Sequence, residues 1–138
     1  LSELFQKTKI PAAKAAIISF SYDVVVAAKK RFPNRPIYYL SGIKQNKTTQ
    51  KWEPQLEVLI KKTRDAGLDG LSLGFKGEAG ESTLRDYILQ TREKTLSHKL
   101  GFYVWTVNDL HIAKMFAEAG VDGITTDRPA FLKPIKGK

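Results

Sequence analysis

Two stretches of the chain are near copies of one another: Ala66-Gly67-Leu68-Asp69-Gly70-Leu71 and Ala119-Gly120-Val121-Asp122-Gly123-Ile124. Each reads as the end of a helix, a Gly that stops it, and an apolar strand opening around Asp-Gly. One backbone problem, leaving a helix and entering a strand, is solved twice. That restricts the chain to folds in which helices and strands alternate along a parallel sheet, with right-handed crossovers.

The remaining segments keep the same rhythm. The run Ala-Ala-Ile-Ile-Ser-Phe at 15–20 is apolar and rich in β-branched residues, as a buried strand is. Ser21 is placed to cap a helix running to about Arg31. Pro33 and Pro36 then break the chain, and Ile37 to Leu40 is the next expected strand. The polar, aperiodic stretch 41–53 is expected to be a long loop. Pro54 suits the first turn of a helix whose inner stripe is Leu56, Leu59, Ile60 and Thr63.

A strand over 68–75 follows, then a turn at 76–80 and a helix over 83–98 with Leu84, Tyr87, Ile88, Thr91, Thr95 and Leu96 inward and Gly101 as its stop. The last units are a strand at 102–107, a helix over 110–119 that Asn108 or Asp109 can cap, and a strand at 121–126. Pro129 opens a final short helix or turn. Five strands in 138 residues are a little over half of an eight-stranded (β/α)8 barrel, which takes about 250 residues. The expectation is therefore a single α/β domain, 1–138, forming part of a TIM barrel.

Composition removes several classes of function. With no cysteine there is no disulfide framework, thiolate metal site or cysteine nucleophile, and the compartment stays open. The longest apolar candidate, 12–28, is interrupted by Lys14, Ser19, Ser21 and Asp23, so no membrane span is expected. The chain opens on Leu1-Ser2-Glu3-Leu4, without a starting Met or a signal-peptide layout, and reads as beginning in the middle of something. A net charge of +9 fits a nucleic-acid surface or attraction to a phosphate-bearing substrate. The plainer account is a solvated coat, since Lys29, Lys30, Arg31, Lys61, Lys62, Arg64, Arg92 and Lys94 all fall on helices outside the apolar stripes. No aromatic-basic stacking motif or zinc signature supports nucleic-acid binding.

Three segments carry a resemblance to one family, in the right order: Ile17-Ile18-Ser19-Phe20, Val104-Trp105-Thr106-Val107-Asn108, and Gly120-Val121-Asp122-Gly123-Ile124-Thr125-Thr126-Asp127-Arg128-Pro129. They resemble the "SF" strand, the "WTvN" segment and the closing "GVDGIITDxP" of the glycerophosphodiester phosphodiesterases, relatives of the phosphatidylinositol phospholipase C barrels. The resemblance covers about residues 10–133. It implies the C-terminal portion, about five βα units, of a TIM (β/α)8 barrel that hydrolyses glycerophosphodiesters to glycerol 3-phosphate and an alcohol. It also implies a divalent cation, Ca or Mg, held by carboxylates, and a pair of acid-base histidines. Those groups belong to His-Arg-Gly, Glu-x-Asp, His-Asp and Glu-x-Lys motifs on the family's first strands, and none of them occurs here. The cation's ligands are thus expected outside this chain, no catalytic or metal residue is assigned within it, and the chain alone is expected to be inactive.

Its strand ends still offer binding groups. Phosphodiester hydrolysis needs charge neutralisation and a proton donor at the C-terminal ends of barrel strands, where the one carboxylate available is Asp127. Asp127 precedes Arg128-Pro129 and is expected to cap the next helix. Asp69 and Asp122 follow Gly stops and belong to strand entrances, the stability face. His98 and His111 fall on different helices of the outer ring. Trp105, beside Thr106 and Asn108, suits the wall of a pocket for a small polyol head group, with Phe20 and Tyr39 as further lining. Expected partners are a small phosphodiester and either an absent N-terminal half or a second copy of the chain. The alternative is a non-catalytic half barrel that completes itself by oligomerisation, because an open barrel leaves strand edges and an apolar face uncovered.

Overall fold

The computed structural model describes residues 1–76, 79–133 and 135. The chain opens with α1 (Ser2–Thr8) and a single 3-10 turn at Ala12–Lys14 before β1 (Ile17–Ser19). It continues through α2 (Tyr22–Arg31), β2 (Ile37–Gln45), β3 (Trp52–Glu53), α3 (Leu56–Asp65) and β4 (Gly70–Lys76). Next come α4 (Glu81–Ser97), β5 (Gly101–Trp105), α5 (Leu110–Glu118) and β6 (Gly123–Ile124). The sheet runs β1-β2-β4-β5-β6 with every one of those pairs parallel, while β3 turns back antiparallel on the end of β2. This is the α/β architecture of part of a TIM barrel. No helix among the described residues is long and apolar enough to cross a membrane.

Helices cover one face of the sheet. Leu71, Leu73, Phe102 and Val104 alternate toward α3, α4 and α5 and form the main core with Leu59, Ile60, Ile88 and Phe116. A second cluster joins Val25 of α2 to Ile37 and Leu68. The expected stripe of α3, Leu56, Leu59, Ile60 and Thr63, is wholly buried. Thr63 and Thr91 satisfy their buried hydroxyls by donating to the carbonyls of Leu59 and Tyr87, each at 2.8 Å. In α4, Leu96 turns outward and is 57% exposed, so the inner stripe there stops at Thr95.

Helix ends follow local chemistry. The Ser21 side chain accepts from Val24 N at 3.4 Å, and the Asp109 carboxylate accepts from Ile112 N at 2.9 Å. Gly67 (φ 64) and Gly120 (φ 86) provide the left-handed stops in both near-copies. At the end of α4 the left-handed residue is Lys99 (φ 55), and Gly101 instead opens β5. Pro54 lies just before α3, whose N-cap is Gln55.

The stretch 41–53 departs from the expected loop. β2 runs on to Gln45, with Ile43 fully buried and paired with Phe75. The chain then reverses through an Asn46 turn, where Asn46 Oδ1 accepts from Thr48 N and Thr49 N, and returns as β3. Ile43 stands alone among polar residues because the other face of β2 is not covered by a helix. After Pro129 the chain takes the turn of the two forms expected there, closed by Phe131 N and Leu132 N donating to Arg128 O. Residues 77 and 78 of the expected turn at 76–80 lie outside the described residues.

Candidate functional site

The sheet face opposite the helices is the inside of the partial barrel, and β-strand alternation fixes what stands on it. Near the strand starts, Tyr38 and Tyr103 meet with ring centroids 4.6 Å apart and hydroxyls 3.2 Å apart. Glycines make room for this pair: a Cβ on Gly123 would fall 2.7 Å from the Tyr103 ring. Burial, reinforced by the Tyr103 hydroxyl, pushes the Tyr38 phenol well above its ordinary range.

One layer up, toward the C-terminal ends, Trp105 lies over Gly74, its register partner on β4. A Cβ on Gly74 would meet the indole at 2.4 Å, so only Gly permits this placement. Trp105 Nε1 donates to Ser72 O at 3.0 Å, which pins the ring against β4. Phe20 meets the same indole edge-on at 5.3 Å and is itself 60% exposed. Higher still on this face stand Lys44 and Lys76, register partners at the ends of β2 and β4.

Asn108 is committed to the loop after β6. Its Oδ1 accepts from Thr126 Oγ1 and Asp127 N, each at 3.0 Å, and its Nδ2 donates to Asp127 Oδ2 at 3.2 Å. Asp127 therefore braces Asn108 rather than capping a helix, and the WTVN segment is locked to the TTD segment. Tyr39 stands apart from the other expected lining residues. Its neighbours on β2 in the alternation are Ile37 and Ser41, and its ring packs against Tyr22 of α2 at 5.7 Å, on the helix side of the sheet. The structure thus brings Phe20 and Trp105 together, places Asn108 beside them in sequence but bonded to residues 126 and 127, and puts Tyr39 behind the sheet.

Acid-base and metal chemistry finds little here. His111 pairs with Glu81 at 2.8 Å between the first turns of α5 and α4, and His98 ends α4; both are exposed on the outer ring. Asp69 and Asp122 sit at strand entrances, bound to Lys29 and Arg92 respectively. Among the described residues no three His, Cys, Asp or Glu side chains gather as a metal site. Asp127, with its one carboxylate engaged by Asn108, does not make the multi-carboxylate set a hard cation requires.

The fold and these segments can be set against known proteins. The family model described as the glycerophosphoryl diester phosphodiesterase family matches residues 2–131. The chain belongs to that family. Solved structures agree in fold. A glycerophosphodiester phosphodiesterase from Parabacteroides distasonis is 20% identical and superposes with a TM-score of 0.69, over 96% of this chain and 47% of that one. An Oleispira antarctica phosphodiesterase, solved in complex with the product sn-glycerol-3-phosphate, is 17% identical at a TM-score of 0.66, over 96% and 46%. A glycerophosphodiester phosphodiesterase from Thermotoga maritima is 16% identical at 0.64, over 97% and 53%. The chain therefore spans about half the length of these solved relatives. No curated protein sequence matches it.

Lys44 and Lys76 were not legible as site residues. One falls in the stretch that reads as a loop and the other in the stretch that reads as a turn, so no strand alternation pointed them inward.

Proposed function

We propose that this chain provides the head-group wall of a glycerophosphodiester phosphodiesterase barrel, which hydrolyses a glycerophosphodiester to glycerol 3-phosphate and an alcohol. The observation that carries this reading is the indole of Trp105, laid over Gly74, hydrogen-bonded to Ser72 and flanked by Phe20 on the inner face near the C-terminal strand ends. Ligands of parallel barrels sit at that end. A pinned aromatic surface gives the carbon side of a polyol an apolar contact at little entropic cost, because the ring is ordered before binding. The Asn108–Thr126–Asp127 network holds the WTVN segment in place beside it. The divalent cation and the acid-base groups belong, in this reading, to strands supplied from outside these 138 residues; the cation's chemistry there is neutralisation of the phosphoryl oxygens. Alone, the chain binds the head group and does not turn it over.

The test uses Trp105 as its own reporter. In a Trp52→Phe background the one remaining indole is Trp105. Titration with sn-glycerol 3-phosphate is expected to give a saturable fluorescence change, weakened by Phe20→Ala. The same protein with Mg or Ca and a glycerophosphodiester is expected to release no glycerol 3-phosphate. A flat titration would remove the head-group role, and metal-dependent release would place the catalytic groups within this chain.

A second reading has an observation of its own. Ile18 and Phe20 stand on the inner face 59% and 60% exposed, as they would on a half barrel whose face is covered by association with another copy.

A further inference from the structure

At the mouth of the inner face, β2 and β4 both end on lysine. Lys44 and Lys76 are register partners, so their side chains leave adjacent strands about 4.8 Å apart on the same side of the sheet. The Lys76 stem runs across Gly42, where a Cβ would lie 3.5 Å from Cε and 3.8 Å from Nζ, which carries its ammonium toward the Lys44 strand. Like charges directly opposite on a sheet repel, and neither side chain fills the core, so packing does not explain the pair. Among the described residues neither joins an ion pair, although five ion pairs form elsewhere.

Among the described residues at this end, one carboxylate shares their side of the sheet. Glu53 is the β3 partner of Lys44, but its Oε1 accepts from Asn46 Nδ2 at 3.1 Å. Gly42, Lys44, Glu53, Pro54 and Lys76 line an open cavity of about 260 Å³. The aromatic wall adjoins it, since Gly74, the floor beneath the Trp105 indole, is two residues before Lys76 on β4.

We propose that Lys44 and Lys76 form an oxyanion subsite that holds a phosphate-class group while the polyol attached to it rests on Phe20 and Trp105. This rests on the head-group reading above and adds residues to it. Two ammonium groups match the charge of a phosphate monoester dianion, and each bond to it is charge-assisted. As flexible point charges, lysines tolerate more than one orientation of the phosphate, which suits a subsite that admits a diester and releases a monoester. Among the described lining residues two ammonium groups stand against the one carboxylate of Glu53, whose Oε1 is already engaged by Asn46, so that lining is net positive.

The experiment is isothermal titration of the 138-residue chain at low salt with inorganic phosphate, sn-glycerol 3-phosphate and glycerol. Lys44→Gln and Lys76→Gln are each expected to weaken both phosphate compounds roughly tenfold, and the double variant to lose them. Lys30→Gln, which removes the same charge from an exposed position on α2, is expected to bind as the parent does. If the double variant binds phosphate as well as the parent, or if Lys30→Gln loses as much as either single variant, the subsite is overturned in favour of diffuse charge. The two layers of the reading separate cleanly. Lysine-dependent phosphate binding, with glycerol 3-phosphate no tighter than phosphate and insensitive to Phe20→Ala, keeps the subsite and removes the polyol wall. Glycerol 3-phosphate binding that needs Phe20 but not the lysines does the reverse.

Discussion

Tyr87 carries the one side-chain polar atom that is buried without a hydrogen-bond partner among the described residues. Its ring is held by Trp52 at 4.7 Å and Phe75 at 5.8 Å, so the hydroxyl cannot swing out to water. Burial pushes the phenol up to about 12; nearby Thr91, whose hydroxyl already donates to the Tyr87 carbonyl, pulls only weakly the other way. The folded chain thus keeps its proton where the unfolded chain gives it up. The contribution to stability is constant below pH 10 and falls between about pH 10 and 12, by at most on the order of 3 kcal/mol. Tyr87→Phe is expected to remove that alkaline loss and to raise neutral-pH stability by up to about 1 kcal/mol, because it deletes an unsatisfied hydroxyl and keeps the ring. Urea unfolding at pH 7, 10 and 11.5 checks both; an unchanged alkaline slope would assign the loss to another group.

At the scale of elements, the two near-copies turn out to share more than a Gly stop. Asp69 Oδ2 accepts from Lys29 Nζ of α2 and from Ile37 N at the start of β2, both at 2.8 Å. Asp122 repeats the device: its oxygens accept from both terminal nitrogens of Arg92 on α4, and Oδ2 also from Phe102 N in β5 at 2.8 Å. Each carboxylate thus ties a helix to the beginning of the strand beside its own. Asp122→Ala is expected to cost about 2 kcal/mol and Asp122→Asn about 1, since Asn can still accept from Phe102 N but loses the bidentate charge pair. Asp69→Ala should cost a similar amount, read from shifts in the urea midpoint at constant slope. The sequence displayed the repeated Asp-Gly and its place at strand entrances. It could not display Lys29 and Arg92 as partners, because those lie on helices far from each Asp along the chain. The end of β2 was hidden for a related reason: with one face uncovered by helices, its run Ser41–Gln45 keeps a single large apolar residue, Ile43, and reads as loop.

For the whole molecule, the governing feature is a sheet with two edges. β1 and β6 each have a neighbour on one side only, and the inner face carries Ile18 and Phe20 largely exposed. A cavity of about 480 Å³ opens between α5, β6 and the turns at 129–133, with Arg92 and Asp122 at its rim. Exposed strand edges beside apolar surface promote pairing with another chain. The isolated 138-residue chain is therefore expected to elute in light-scattering chromatography well above its 15.5 kDa monomer mass at micromolar concentration. Ile18→Lys should return it toward monomer by placing a charge on that face. A monomeric parent chain would show that water tolerates the open face as it stands.

The sequence by itself determined the alternation of helix and strand, the Gly stops, the Ser21 and Asp109 caps, the α3 stripe and the family. Each of these depends on residues close together in the chain or on motifs read as written. Tertiary structure alone decided which groups face one another across the sheet. It set Phe20 on Trp105, turned Tyr39 behind the sheet toward Tyr22, bound Asn108 to Asp127, and lined up Lys44 with Lys76. Those outcomes follow from strand register. Because successive residues of a strand point to opposite faces, one residue of slip in β2 would send Tyr39 inward and Lys44 outward, away from Lys76 on β4.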